Sequence, residues 1–422
     1  MRDLDAVTAA AHLAAARGSS RVSARLPGAE GRAPSHALAS LLAPEVSVPA
    51  ERAEAALAPL AEALDALCAE ADGPPELPVA TLWLSYDAAR AACDPRPVID
   101  RRPLGDRCPA ALLARHEATL VWGARGEARH GPADALARLD EATRDARDRP
   151  ATWAPLETTS ATSRDAFVSA VNQVRGSIAA GDVYLVNVAR RLESPPVEGA
   201  TERVATRVIA SRAARAMLAN VGGVTVGGMS MELALRWDRR RGVAWTAPIK
   251  GTRPRRADAV EDAAEVAALL RDPKERSENA MAVDVHRNDL SRVATRVTAP
   301  RLFEAETHAF VHHLTSWVRA EVPRALGAEA MLRAVLPVGS VTGAPKLAAM
   351  DLIARLEPSR RGLYTGVYGT VFADGSVELA VAIRTLVADP SGISYGVGGG
   401  VVWDSDPAAE WDELGWKSRA IR

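Results

Sequence analysis

Apolar positions recur at helical spacing most clearly at Phe167, Val171, Val174 and Ile178, with Ser163 placed to cap that helix and Gly181-Asp182 to stop it. A continuous apolar run over residues 183–188 then predicts a strand. Residues 221–229 and 243–248 predict two more strands, and a polar turn at 238–242 separates them. Helical patterning returns over 261–270 and 275–293, and residues 331–336 close a further helix. Residues 339–346 read as a turn leading into a helix that ends near Leu356, with Pro345 in its first turn. Residues 367–372, 377–386 and 393–402 predict three antiparallel strands, the first two joined by the turn Asp374-Gly375. A last helix begins near Pro407. Upstream the pattern is weaker, with an amphipathic helix over 53–67 and a strand over 79–86. Residues 144–162 gather Pro150, Pro155 and several Ser and Thr, which predicts a linker between a short region, 1–150, and a larger one, 160–422. No internal repeat is present.

The chain has 422 residues, enough for two or three domains or one large α/β unit. A formal net charge of −1 gives no reason to expect nucleic acid or a membrane surface as a partner. Cys68, Cys93 and Cys108 form no CxxC pair and no metal-ligand spacing, which suits a reducing compartment. No apolar core of secretory length follows Met1 and no run approaches a membrane span, so a cytoplasmic protein is expected. Of 52 basic residues only four are lysine: Lys250, Lys274, Lys346 and Lys417. Arginine stays protonated, whereas an amine can be desolvated, neutralised and used as a nucleophile. The plain alternative is codon bias with random survivors.

Three of the four lysines lie in the densest motifs. Glu410, Glu413 and Lys417 stand at i, i+3 and i+7 on one face of the last helix. Two carboxylates on one stripe repel unless a cation or proton sits between them. Trp411, Leu414 and Trp416 cover the other sides, which predicts a helix partly buried all round; a solvated face with a Glu–Lys pair is the alternative. Glu278 shares a largely apolar face with Met281, Ala282 and Val285, so it is either paired or liganding. Glu278, Glu410 and Glu413 together offer only hard oxygen donors, which suits Mg²⁺. Asp284 and Asp289 are better placed for structural ion pairs with Arg287 or Arg292. The turn Gly339-Ser340-Val341-Thr342-Gly343-Ala344-Pro345-Lys346 exposes backbone N–H groups at a helix start, an anion site or an ordinary tight turn. Gly398, Gly399 and Gly400 weaken a strand and signal close approach of backbone or ligand. Arg384, on the preceding strand among apolar neighbours, predicts a buried cation in need of a carboxylate.

Residues 248–255, 278–293, 337–385 and 398–417 together resemble the chorismate-utilising enzymes. That family includes component I of anthranilate synthase, component I of aminodeoxychorismate synthase, and the isochorismate and salicylate synthases. The resemblance runs in order from about residue 163 to the C-terminus, and upstream it touches only Leu84-Ser85-Tyr86-Asp87. It implies an α/β (α+β) fold like that of anthranilate synthase. Two large, mostly antiparallel sheets would face each other, with helices outside and the site in the cleft. Residues 1–150 would contribute to the same fold, and 160–422 would form the chorismate-binding catalytic domain.

Lys250 falls in Pro248-Ile249-Lys250-Gly251-Thr252, where anthranilate synthases usually carry alanine and aminodeoxychorismate synthases carry lysine. The resemblance therefore implies amination of chorismate to 4-amino-4-deoxychorismate through a covalent Lys250 intermediate, in the p-aminobenzoate and folate branch. Glu232, in Ser230-Met231-Glu232-Leu233, matches the family's general acid, although the family pattern there is Ser-Pro-Glu-Arg. Glu278 and Glu413 would ligate Mg²⁺, with Glu410 beside it or bound through water. Thr342, Tyr364, Arg384, Lys417, His313 and the backbone of Gly398, Gly399 and Gly400 would hold the substrate. His313 reads nearly as well as a packing residue, and Lys346 reads as ordering its helix start. Further departures are Pro337-Val338-Gly339-Ser340 for Pro-Gly-Gly-Ser and Tyr184-Leu185-Val186 for Tyr-Gln-Val. No cysteine lies in a Gly-x-Cys-x-Gly elbow, so ammonia is expected from a separate glutamine amidotransferase subunit. Two alternatives stay open: an anthranilate or aminodeoxyisochorismate synthase of secondary metabolism, and a degenerate chorismate-binding scaffold.

Overall fold

The computed structural model describes residues 22–25, 37–70, 73, 77–94, 96, 100, 102–104, 106–123, 126–147 and 155–421. Every strand pairing among them is antiparallel. One sheet runs from Leu185–Glu193 through Gly392–Val401, Thr385–Asp389 and Val224–Ser230 to Arg215–Val221. The other runs from Pro78–Leu84 through Val367–Phe372, Val377–Val381, Leu233–Asp238 and Val243–Ala247 to Val311–Glu321. That last strand also carries Ile249–Pro254 and Arg296–Thr307. Val22–Arg25, Ala37–Val48 and Ala111–Gly123 join the two sheets along one edge.

Alternation along the strands explains the layering. Met217, Ala219 and Val221 point one way and pack with Trp83, Tyr368 and Ala380 of the other sheet. Ala216 and Leu218 point the other way, onto the helices Arg164–Ala179 and Ala200–Ser211 through Phe167, Val171, Val204 and Val208. The second sheet is covered in the same manner by Leu57–Glu70 and Ala328–Val335, through Leu60, Leu64, Met331 and Leu332. Apolar residues on both strand faces, rather than one, are what a helix–sheet–sheet–helix stack requires.

The sequence-based expectations hold for the Arg164–Ala179 helix, whose Ser163 cap accepts from the Ala166 amide, and for the strand Val367–Phe372. Others need correction. Residues 221–229 are not one strand: Arg215–Val221 and Val224–Ser230 form a hairpin around Gly222 and Gly223, at φ 61° and 81°. Residues 377–386 are likewise divided, into Val377–Val381 and Thr385–Asp389. Arg384, in the bend between them, has a left-handed φ of 50°. The strand expected over 79–86 ends at Leu84, because Ser85 caps the helix Tyr86–Cys93 by accepting from the Ala88 amide. Pro345 precedes the helix Lys346–Leu356 as its cap residue instead of sitting inside it. Of the expected linker, residues 144–147 belong to the helix Ala133–Arg147, 148–154 lie outside the described residues, and Thr159 bridges to Glu193. No helix among the described residues is long and apolar enough to cross a membrane.

After the helix Lys346–Leu356 comes a buried ion pair, with Arg361 Nη2 2.6 Å from Glu357 Oε1. Arg361 also donates to the carbonyls of Val341 and Asn187, and Glu357 accepts from the Ala189 amide. One guanidinium thus joins the Leu185–Glu193 strand to the turn before Thr342. Removing one partner leaves the other charge buried without compensation. Glu357→Ala should therefore lower stability by about 3–5 kcal/mol, read as a fall in the urea midpoint at unchanged slope.

Candidate functional site

Lys250 owes its position to a break in a ladder. Ile249 pairs with Thr315 and Thr252 with His313, and the register shifts between the two pairs. Gly251, at φ 88°, takes the irregular backbone, and such bulges re-aim a side chain. The half-buried Lys250 reaches across to the glycine run, where its Nζ lies 3.0 Å from the place a Cβ on Gly400 would occupy. Its charge acts on Glu232, Glu278 and Glu413.

Glu232 is 3% exposed and lies just before the strand Leu233–Asp238. Its amide donates to Ser230 Oγ, and its carbonyl accepts from the Val381 amide. Burial pushes its carboxyl up to about 7, against the pull of Ser340, Lys250, the Ile249 amide and Arg215. The carboxyl therefore exchanges a proton near neutrality, as a general acid must.

The remaining carboxylates come from two helices, Pro273–Ser291 and Pro407–Lys417. Glu413 Oε1 lies 2.7 Å from Lys417 Nζ, and Lys417 also donates to the Gly398 carbonyl at 2.8 Å. The Glu413 side chain is half exposed, and Lys417 outweighs its partial desolvation and holds the carboxyl below its usual range. Glu410 accepts from Ser405 Oγ at 2.7 Å, and Glu278 lies 3.9 Å from Lys274. Burial raises both carboxyls, and each also feels Glu413 as a repelling charge. Among the described residues no three His, Cys, Asp or Glu side chains come together as a ready-made metal cage. The helix bearing Glu410 and Glu413 is not partly buried on every side, as its aromatics suggested: Trp411 is half-buried, but the Trp416 side is open. Trp416 is 61% exposed, under the Arg419 guanidinium, and Leu414 carries the packing.

The glycine run is bare on both faces. A Cβ on Gly398 would meet Tyr364 Oη at 2.8 Å, and one on Gly399 would meet Glu410 Oε2 at 3.0 Å. Gly398 and Gly400 therefore face Tyr364 and Lys250, while Gly399 faces the last helix. Tyr364 is half-buried, its hydroxyl pushed up by burial, with Asn187 and Arg361 beside it. His313 is 8% exposed and pushed down to about 3 by burial, helped by His308 and Arg384, so it is a neutral imidazole. Its Nδ1 lies 3.1 Å from Thr252 Oγ1.

Two expected binding residues differ from their sequence reading. Arg384 is exposed, not buried, and among the described residues it has no carboxylate ion partner; it lies in the left-handed bend between two strands, where its charge reaches His313 and Tyr395. Thr342 is fully buried, and its hydroxyl is committed to the Val338 carbonyl at 2.8 Å. Lys346 orders its helix start, as expected, through Asp289 at 2.7 Å, and Asp284 lies 3.8 Å from Arg287. Sequence reasoning did not single out Ser340, which donates to Glu232, nor the Arg361–Glu357 pair. Ser340 stood inside a quoted motif; nothing local marked the other two.

A family model described as chorismate binding enzyme matches residues 30–422. The chain belongs to the chorismate-binding enzyme family. Anthranilate synthase component 1 of Streptomyces coelicolor is 40% identical over 259 residues, 60% of this chain and 50% of that protein. Aminodeoxychorismate synthase of Streptomyces griseus is 38% identical over 350 residues, 79% of this chain and 47% of that protein. The chain thus spans about half the length of these two relatives. The crystal structure of anthranilate synthase component I from Streptococcus pneumoniae has a TM-score of 0.74 at 26% identity, covering 86% of this chain and 85% of that one. The fold of this chorismate-binding enzyme is therefore that of the anthranilate synthase component I and its relatives.

Proposed function

We propose that the chain aminates chorismate to 4-amino-4-deoxychorismate, with Lys250 as nucleophile and Glu232 as general acid. One observation carries the reading. An amine stands in the Pro-Ile-x-Gly-Thr block, half-buried over a bare glycine strand, among Glu232, Glu278 and Glu413. The Lys250 amine attacks C2 of the ring, both conjugated double bonds shift, and the C4 hydroxyl leaves as water with the proton of Glu232. Ammonia then enters at C4, both double bonds shift back, the C2–nitrogen bond to Lys250 breaks to return the neutral amine, and the proton shed by the new ammonium goes to Glu232. Two allylic displacements replace one substitution at C4.

Lys417, Tyr364, Arg384 and the Gly398–Gly400 backbone would hold the substrate carboxylates, and His313 and Thr342 would border the ring. Glu278, Glu413 and Glu410 would hold Mg²⁺. Glu413 acts as a repelling charge on both Glu278 and Glu410, and hard oxygen donors that are not closed into a cage suit a dication that keeps several waters and shares an anionic ligand. When bound, it would anchor and neutralise a carboxylate of chorismate. A separate glutamine amidotransferase subunit would deliver the ammonia, the product would feed p-aminobenzoate and folate synthesis, and the enzyme would work in the cytoplasm. Residues 1–150 would be a short divergent part of the fold and 160–422 the catalytic domain.

The likeness to anthranilate synthases supports a second reading, in which the amino group enters the ring ortho to the carboxylate-bearing carbon. Incubation with chorismate, Mg²⁺ and an ammonium salt separates the two by the mass and ring position of the product. The 4-amino compound is expected, and a chelator should abolish its formation. Anthranilate as the product would overturn the first reading.

A further inference from the structure

Glu232 is held twice, once by its main chain and once by its carboxyl. Ser230 and Val381 fix the backbone. Ser340 Oγ donates to Glu232 Oε1 at 2.5 Å, the length of a charge-assisted O–H···O bond. Both residues are buried, at 6% and 3% exposure, so no water competes for the bond. We propose that Ser340 is the positioning residue for Glu232: by donating to Oε1 it fixes that oxygen as an acceptor and leaves Oε2 to carry the transferable proton. This rests on the reading of Glu232 as the general acid.

The turn that bears Ser340 is built to be immobile. It is a single 3-10 turn, Gly339–Val341, closed by the Val341 and Thr342 amides on Val338 and Gly339 and by the Thr342 hydroxyl on Val338. Arg361 grips the Val341 carbonyl from below. On the other side the helix Pro273–Ser291 presses close, and a Cβ on Gly339 would meet Val285 Cγ1 at 2.1 Å. A hydroxyl on such a support sets the rotation of the carboxyl it touches. The other charged groups acting on Glu232 are Lys250 and Arg215, and the Ile249 amide also points to its carboxyl. None of these comes from the Ser340 turn.

The test uses the full chain with chorismate, Mg²⁺ and ammonium. Ser340→Ala should lower kcat about 10- to 100-fold and leave KM for chorismate within about twofold. Because the lost hydrogen bond favoured the carboxylate, the alkaline limb of the kcat–pH profile should move up. Ser340→Thr should restore both values. Ser340→Cys, a near-isosteric weak donor, should fall between them, and it serves if the alanine variant does not fold. Difference infrared spectroscopy gives a readout apart from turnover. The protonated carboxyl band of Glu232, assigned by its loss in Glu232→Gln, should rise in frequency in Ser340→Ala. An unmoved band, or a fall in kcat with the alkaline limb in place, would overturn the positioning role. Full activity in Glu232→Gln would instead sink the assignment of the general acid, while the band still reported whether Ser340 holds that carboxyl.

Discussion

Lys250→Ala should lose formation of the 4-amino product by roughly 10³-fold or more, because removal of a nucleophile takes the whole covalent route with it. Chorismate should still bind the variant, since the groups assigned to its carboxylates lie on other elements. Those elements are the glycine strand, the last helix, the Tyr364 segment and the bend at Arg384. Lys250→Arg should fail as well: a permanently charged planar guanidinium cannot replace a primary amine as nucleophile. Mass spectrometry of the wild-type protein during turnover with chorismate and Mg²⁺, but with ammonia withheld, should find an adduct on the peptide containing Lys250. The alanine variant should give none. Formation of the 4-amino compound by Lys250→Ala at the wild-type rate would show that ammonia adds without a covalent intermediate.

Glu232→Gln should lower kcat by about 10²- to 10⁴-fold, the range expected for loss of a positioned general acid. Glutamine keeps the volume and can still accept from Ser340, so stability should change little. The wild-type pH dependence gives a second handle. Only the protonated carboxyl can donate, and burial holds it at about 7. Activity limited by this step should be full below that value and fall about tenfold per pH unit above it. The glutamine variant should lose that limb. A wild-type profile flat from pH 6 to about 9 would exclude Glu232 from the rate-limiting proton transfer.

Legibility in the sequence followed how local the determining forces are. The helices at Ser163 and Pro407 were readable because caps and stripes lie within one segment. The Gly222-Gly223 hairpin was hidden by apolar residues on both sides of the turn. In a two-sided buried sheet such a run continues through strands and turn alike. The long strands Arg296–Thr307 and Val311–Glu321 escaped notice, since their mixture of arginines, acids and histidines lacks clean alternation. Lys250, Glu278 and the Glu410–Lys417 stripe were singled out through motif chemistry. The bulge that aims Lys250 was invisible, because it depends on pairing with a strand more than fifty residues away. Arg384 was misplaced for the same reason. Apolar neighbours in sequence do not imply burial when the chain bends into the left-handed region between two strands.

The three consecutive glycines make a septum one polypeptide thick. Lys250 sits on one side of it, and Glu410 with Lys417 sits on the other, with the peptide dipoles of the strand between. Screening across such a wall is weak, so charge placed on one side is felt on the other without any atoms touching. The two halves of the proposed chemistry, nucleophile and anchor, would therefore be open to separate alteration by sequence change yet still respond to each other through the field they share.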